Sequence, residues 1–85
     1  MNRDTLIRTV ARETGEACGI VDQIVRAALS HIASAVERGE DVRIDDFGAW
    51  ISERVGARHD APAYNAVRFR ACHSWRKRMN AQQEV

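Results

Sequence analysis

Lysine is almost missing from this chain: of 13 basic residues only Lys77 is not arginine. Genomic base composition can produce such a bias, and arginine also suits phosphate recognition. The one proline, Pro62, fits only at an edge or at the beginning of a strand. Two cysteines, Cys18 and Cys72, stand far apart, with no Cys-x-x-Cys pair and no metal-ligand spacing. They are expected to be buried or idle thiols of a reducing compartment. No apolar run is long enough to span a membrane, and Met1-Asn2-Arg3-Asp4 lacks the apolar core of a signal peptide. A cytoplasmic location is therefore expected. The chain also lacks a phosphate-binding glycine loop, a nucleophile–base constellation and a metal set. It reads as a non-enzyme without cofactor or small-molecule substrate. Internal repeats, linkers and low-complexity segments are missing too.

What is present is a small globular chain. At 85 residues it is near the size at which a single core barely suffices, and 45% hydrophobic with 29% charged residues is a folding composition. The net charge is +1, but its distribution is uneven. Residues 1–53 hold six Arg against ten Asp or Glu, a balance of −4; residues 54–85 hold six Arg and Lys77 against Asp60 and Glu84, a balance of +5. That asymmetry suggests one face meant for an anionic partner.

Helical periodicity comes first. Asn2 is a good N-cap, Leu6, Ile7, Val10 and Ala11 follow at helical spacing, and Gly15 closes a helix over about 3–14. A longer stripe of Val21, Ile24, Val25, Ala28, Leu29, Ile32, Ala35 and Val36 runs to Gly39; its start is poorly specified, because Ala17 offers no capping side chain. Ile20, Ala27 and Ala33 widen that stripe beyond what so small a chain can cover, which points to burial against a second copy. His31, beside the stripe, reads as a packing or hydrogen-bonding residue.

The pattern then changes to period 2. Val42 and Ile44 alternate with polar neighbours, Asp45-Asp46 makes a turn, and Phe47-Gly48-Ala49-Trp50 forms a tight corner. Gly48 is expected there for backbone freedom, and the aromatics to rest on the preceding helices. Strand-like sequence runs from Ala49 to Arg58 with a bend at Gly56, turns at His59-Asp60, and returns from Ala61 to Arg70. Arg68 and Arg70 share one face of that strand and Phe69 points to the other. Cys72 to Met79 reads as a short helix, and Asn80 to Val85 as a frayed tail.

In this order the chain resembles the HU/IHF family of bacterial histone-like DNA-binding proteins. The resemblance rests on Met1-Asn2-Arg3, Leu6-Ile7, Gly15, Gly39, Val42, Ile44, Phe47-Gly48-x-Trp50, Ala57-Arg58, Ala61-Pro62-Ala63 and Phe69-Arg70-Ala71. It implies an α+β fold: two N-terminal helices, a three-stranded antiparallel sheet with a β-hairpin arm, a short C-terminal helix, and an intertwined dimer. One HU/IHF-like domain over 1–85 is expected, with a helical dimerisation part at about 1–39, sheet, arm and terminal helix at about 40–80, and a tail at 81–85. The expected dimer core is Val25, Leu29, Ile32, Val36, Ile44, Phe47, Trp50 and Phe69. The implied partner is double-stranded DNA, bound without marked sequence preference in the bacterial nucleoid, by a homodimer or by a heterodimer with a longer-armed paralogue.

Departures from the family accompany these matches. The arm tip with its wedging proline is missing between His59 and Ala61, so DNA bending is expected to be reduced. Glu53 and Val55 stand where relatives carry arginine, and Asp45-Asp46 adds negative charge at the corner. Arg3, Arg70 and Arg76 match phosphate-contacting positions of the family and Arg58 its arm base. With Arg54, Arg68 and Lys77 they form the expected DNA-binding set, and Arg78 adds charge beside them. The blander reading makes Arg76-Lys77-Arg78 a solvated helix face. The alternative function is a dimerisation or protein-interaction module with little DNA affinity.

Overall fold

The structure, a computed structural model, describes residues 1–81. In chain order the elements are α1 (Arg3–Thr14), α2 (Cys18–Glu37), β1 (Val42–Ile44), β2 (Gly48–Val55), β3 (Tyr64–Ala71) and α3 (His73–Ala81). The chain divides into two compact units, Met1–His31 and a second from Ile32 onward. No helix among the described residues is long and apolar enough to cross a membrane.

In the first unit, the ends of α1 follow from its caps. Asn2 Oδ1 accepts the Thr5 N–H at 2.9 Å and Thr5 Oγ1 accepts the Asn2 N–H at 2.9 Å, a reciprocal capping box. Gly15 closes the helix at φ 77°, donating its N–H to the Ala11 carbonyl at 2.9 Å. Ile7 and Ala11 of α1 are buried with Val21 of α2, and Val10 and Val25 pack against them. Cys18 and His31 are both exposed.

The start of α2 is marked by backbone alone, with the Ala17 carbonyl accepting the N–H groups of Ile20 and Val21, each at 3.1 Å. Its end, in the second unit, is better specified. Gly39 at φ 86° donates to Val36 O at 2.9 Å and Glu40 to Ala35 O at 3.0 Å, the paired bonds of a Schellman cap.

The sheet is an antiparallel meander in the order β1-β2-β3. Its first corner departs from the sequence reading in one respect. The residue in the left-handed region is Asp46, at φ 63°, while Gly48 is not. Gly48 is needed for space instead: a Cβ there would stand 2.5 Å from the Arg70 carbonyl oxygen and 2.6 Å from Phe69 Cζ. Just before β1, the Asp41 carboxylate accepts the Ser52 N–H at 3.0 Å and so prolongs the edge of the ladder.

The aromatics gather with a ring that the sequence does not point to. Phe47, Trp50 and Phe69 stack on one another with centroids 5.0–5.9 Å apart. The ring that joins them is Trp75 of the following helix, 5.1 Å from Phe47 and 5.8 Å from Phe69. Register explains it: Trp50 pairs with Phe69 across the strands, and the Cys72 N–H donates to Phe47 O at 2.9 Å, which brings the start of α3 to the corner.

Between β2 and β3 the ladder stops at Val55–Tyr64 and resumes as one bridge, Arg58–Ala61. Two hydrogen bonds of 2.8 and 3.3 Å close that bridge around His59-Asp60. The return strand thus begins at Tyr64, after Pro62, which has no N–H to give a ladder. The last helix continues through Asn80 and Ala81, whose tail-like reading gives way to it; Asn80 Nδ2 donates to Arg76 O at 2.9 Å. The tail expected beyond them lies outside the described residues.

Candidate nucleic-acid interface

Strand register decides which basic residues meet. Ala49 of β2 pairs with Arg43 on one side and Arg70 on the other, so both arginines project from the same face of the sheet as Ala49. Two interstrand spacings put them about 10 Å apart, enough to engage separate phosphates. Arg68, two residues before Arg70, shares that face. Arg76, in the first turns of α3, joins Arg43 and Arg70 around a shallow concavity of about 450 Å³ that Asp45, Asp46 and His73 also line.

The other expected residues fall elsewhere. Arg54 pairs with Asn65 and projects from the opposite, aromatic-bearing face; its Nη1 donates to Asn65 Oδ1 at 3.1 Å. Arg58 sits on the bridge at the hairpin end, exposed. Lys77 and Arg78 are exposed on α3, and Arg3 opens α1 in the first unit. Arg43 was missed by the sequence reading. The alternation of Val42-Arg43-Ile44 already turned it away from the apolar side, but only the pairing of β1 with β2 sets it beside Ala49.

Negative charge enters the same face. Glu53 pairs with Ala66, and its Oε1 meets Arg68 Nη2 at 3.1 Å as a diagonal cross-strand ion pair. Neither Arg43 nor Arg70 has a carboxylate partner among the described residues. No group of three or more metal-ligating side chains occurs among the described residues.

Cys72 borders the concavity at the start of α3, where its carbonyl accepts the Arg76 N–H at 3.1 Å. It is half-buried and Cys18 is exposed, so the buried-thiol alternative holds for neither. A hydrogen bond with the Ser74 hydroxyl, Sγ to Oγ 3.3 Å, lowers the Cys72 pKa below the ordinary thiol value, helped by the Trp75 N–H.

Two helices, a three-stranded antiparallel meander and a terminal helix, with arginines along one sheet face, define a histone-like α+β architecture. A family model described as bacterial DNA-binding protein matches residues 1–61, and the chain belongs to that family. Two solved structures are similar in fold. An HU–DNA cocrystal from Anabaena is 26% identical with a TM-score of 0.84, covering 93% of this chain and 97% of that one. A mutant HU from Thermotoga maritima is 24% identical with a TM-score of 0.77, covering 93% and 99% respectively. No curated protein matches. The family match stops at Ala61. Arg68, Arg70, Arg76 and Lys77 therefore lie beyond it.

Proposed function

We propose that this chain binds double-stranded DNA through its phosphate backbone, as a dimer, with slight sequence preference and little bending. The observation that carries the reading is the register that sets Arg43 and Arg70 on either side of Ala49, with Arg76 lining the same concavity. Guanidinium contacts to phosphate oxygens carry no sequence information, so affinity gained that way comes without specificity. Family membership and the DNA-bound Anabaena neighbour support the same partner.

The dimer is supported by what the single chain leaves uncovered. Among the described residues Ile7, Ala11, Val21 and Ala49 are the buried hydrophobics, whereas Ile24 is 61% exposed, Leu29 51% and Val67 59%. Apolar surface of that extent on so small a chain marks an interface. The expected dimer-core residues are consistent with this role: Leu29, Ile44, Phe47 and Phe69 are exposed in the single chain, and Val25, Ile32, Val36 and Trp50 are half-buried. Weak bending follows from the His59-Asp60 turn, which carries no apolar wedge to offset the cost of unstacking a base step.

A second reading, a dimerisation or protein-interaction module, is favoured by Asp45, Asp46 and Glu53 within the basic face. Filter binding at two salt concentrations separates the two. DNA binding predicts that Arg70→Ala with Arg76→Ala weakens association with all sequences alike and reduces the salt slope by about one unit per lost contact. Unchanged binding by that double variant places the site elsewhere; no binding by the wild type even at low salt selects the second reading.

A further inference from the structure

The proposed phosphate-binding face contains its own competitor for phosphate, an inference that rests on the DNA-binding reading above. Arg68 lies on that face with Arg43 and Arg70, yet among the described residues it alone of the three is paired: its Nη2 is 3.1 Å from Glu53 Oε1. The pair is formed between adjacent strands of a regular ladder, Ile51–Arg68 and Glu53–Ala66, so the sheet itself holds the two side chains in reach. A phosphate oxygen and a carboxylate oxygen seek the same guanidinium N–H groups. A phosphate that approaches the Nη2 edge of Arg68 competes there with Glu53, whereas Arg43 and Arg70 have no carboxylate partner among the described residues.

We propose that Glu53 keeps Arg68 out of the phosphate-contacting set, so that the face binds through Arg43, Arg70 and Arg76 with Arg68 held in reserve. Both side chains are partly solvated, Arg68 at 59% and Glu53 at 36% exposure, which makes the pair weak and displaceable. The competitor therefore lowers affinity without abolishing it, by about threefold for an exposed pair of this kind. Plain charge repulsion between Glu53 and DNA predicts something different. Its effect would not depend on Arg68, and any nearby carboxylate would act alike.

The test is a double-mutant cycle read by DNA titration across a salt series, using the full chain. Glu53→Gln is expected to tighten binding about threefold and to steepen the slope of log affinity against log salt by about one unit. Arg68→Gln alone is expected to change little, because the residue is already occupied. In the Glu53→Gln background, Arg68→Gln should cancel the gain. Asp45→Asn removes a carboxylate from the same face that has no ion pair among the described residues, and measures bulk repulsion. A Glu53→Gln gain no larger than that of Asp45→Asn overturns the proposal, as does a gain that survives Arg68→Gln. If Arg70→Ala with Arg76→Ala weakens binding while Glu53→Gln leaves it unchanged, the role of Glu53 fails and the DNA-binding reading stands. If neither the wild type nor Glu53→Gln binds DNA, both fail. Glu53→Gln and Asp45→Asn keep the shape of the side chain, Arg68→Gln shortens a solvated one, and melting curves verify that each variant folds.

Discussion

Replacing Gly48 by alanine isolates the tightest point of the sheet. The backbone there is not left-handed, so alanine meets no dihedral penalty. What it meets is matter: the Arg70 carbonyl oxygen at 2.5 Å and the Phe69 ring at 2.6 and 2.9 Å. Neither neighbour yields easily. The carbonyl belongs to the β2–β3 ladder, and the ring is held among Phe47, Trp50 and Trp75 at 5.6, 5.0 and 5.8 Å. Overpacking of this kind costs about 1–3 kcal/mol. Gly→Ala restricts the unfolded chain and returns about 0.4–1 kcal/mol, so the steric term wins. A net loss of roughly 1–2 kcal/mol lowers the melting temperature by roughly 5–15 °C in a domain this small. The assay is thermal unfolding followed by circular dichroism at fixed protein concentration, since a dimer melts in a concentration-dependent way. Gly56→Ala is the control, because a Cβ there meets nothing within 4 Å. Its melting temperature should stay level or rise. Gly48→Ala melting as high as Gly56→Ala would refute the steric account of the corner.

Three further outcomes are expected. Leu29→Asp, placed on exposed apolar surface of α2, should unfold the chain rather than release a folded monomer; sedimentation showing a stable, folded wild-type monomer at micromolar concentration contradicts the dimer. Ring closure of short linear DNA should be promoted far less than by a long-armed HU, and equal promotion would refute the argument from the His59-Asp60 turn. Alkylation of Cys72, measured in a Cys18→Ser background, should reach half its limiting rate at lower pH than an ordinary thiol, because a lowered pKa keeps the thiolate present as pH falls. Ser74→Ala should move that midpoint back up; no movement means that the hydroxyl bond is not the cause.

Arg43, Arg54 and Glu53 mark the boundary between what is local and what is not. Each carries its face in the period-2 alternation of its own strand, since successive side chains point to opposite sides. Which residue on the neighbouring strand it meets depends on register, and the strand's own pattern is silent on that. Hence sequence alone does not separate Arg54 from Arg68 and Arg70, although it projects from the other face, nor point to Arg43, although it flanks the same alanine as Arg70.

Local rules suffice for the element order, the bounds of α1 and the closing residues of both long helices. Asn2, Gly15 and Gly39 act on N–H and carbonyl groups within a few residues of themselves, so their effect is legible without a partner. The apolar stripe of α2 is legible for the same reason, and the single chain leaves Ile20, Ile24 and Leu29 of it exposed. Tertiary structure alone decided why Gly48 must be glycine, which helix supplies the ring that joins Phe47 and Phe69, and which arginine a carboxylate occupies. Those three facts are contacts between residues about 15 to 28 positions apart, made close by strand pairing and by the bond from Cys72 to Phe47. Distance in the chain carries no sign of them; the pleat and the register create them.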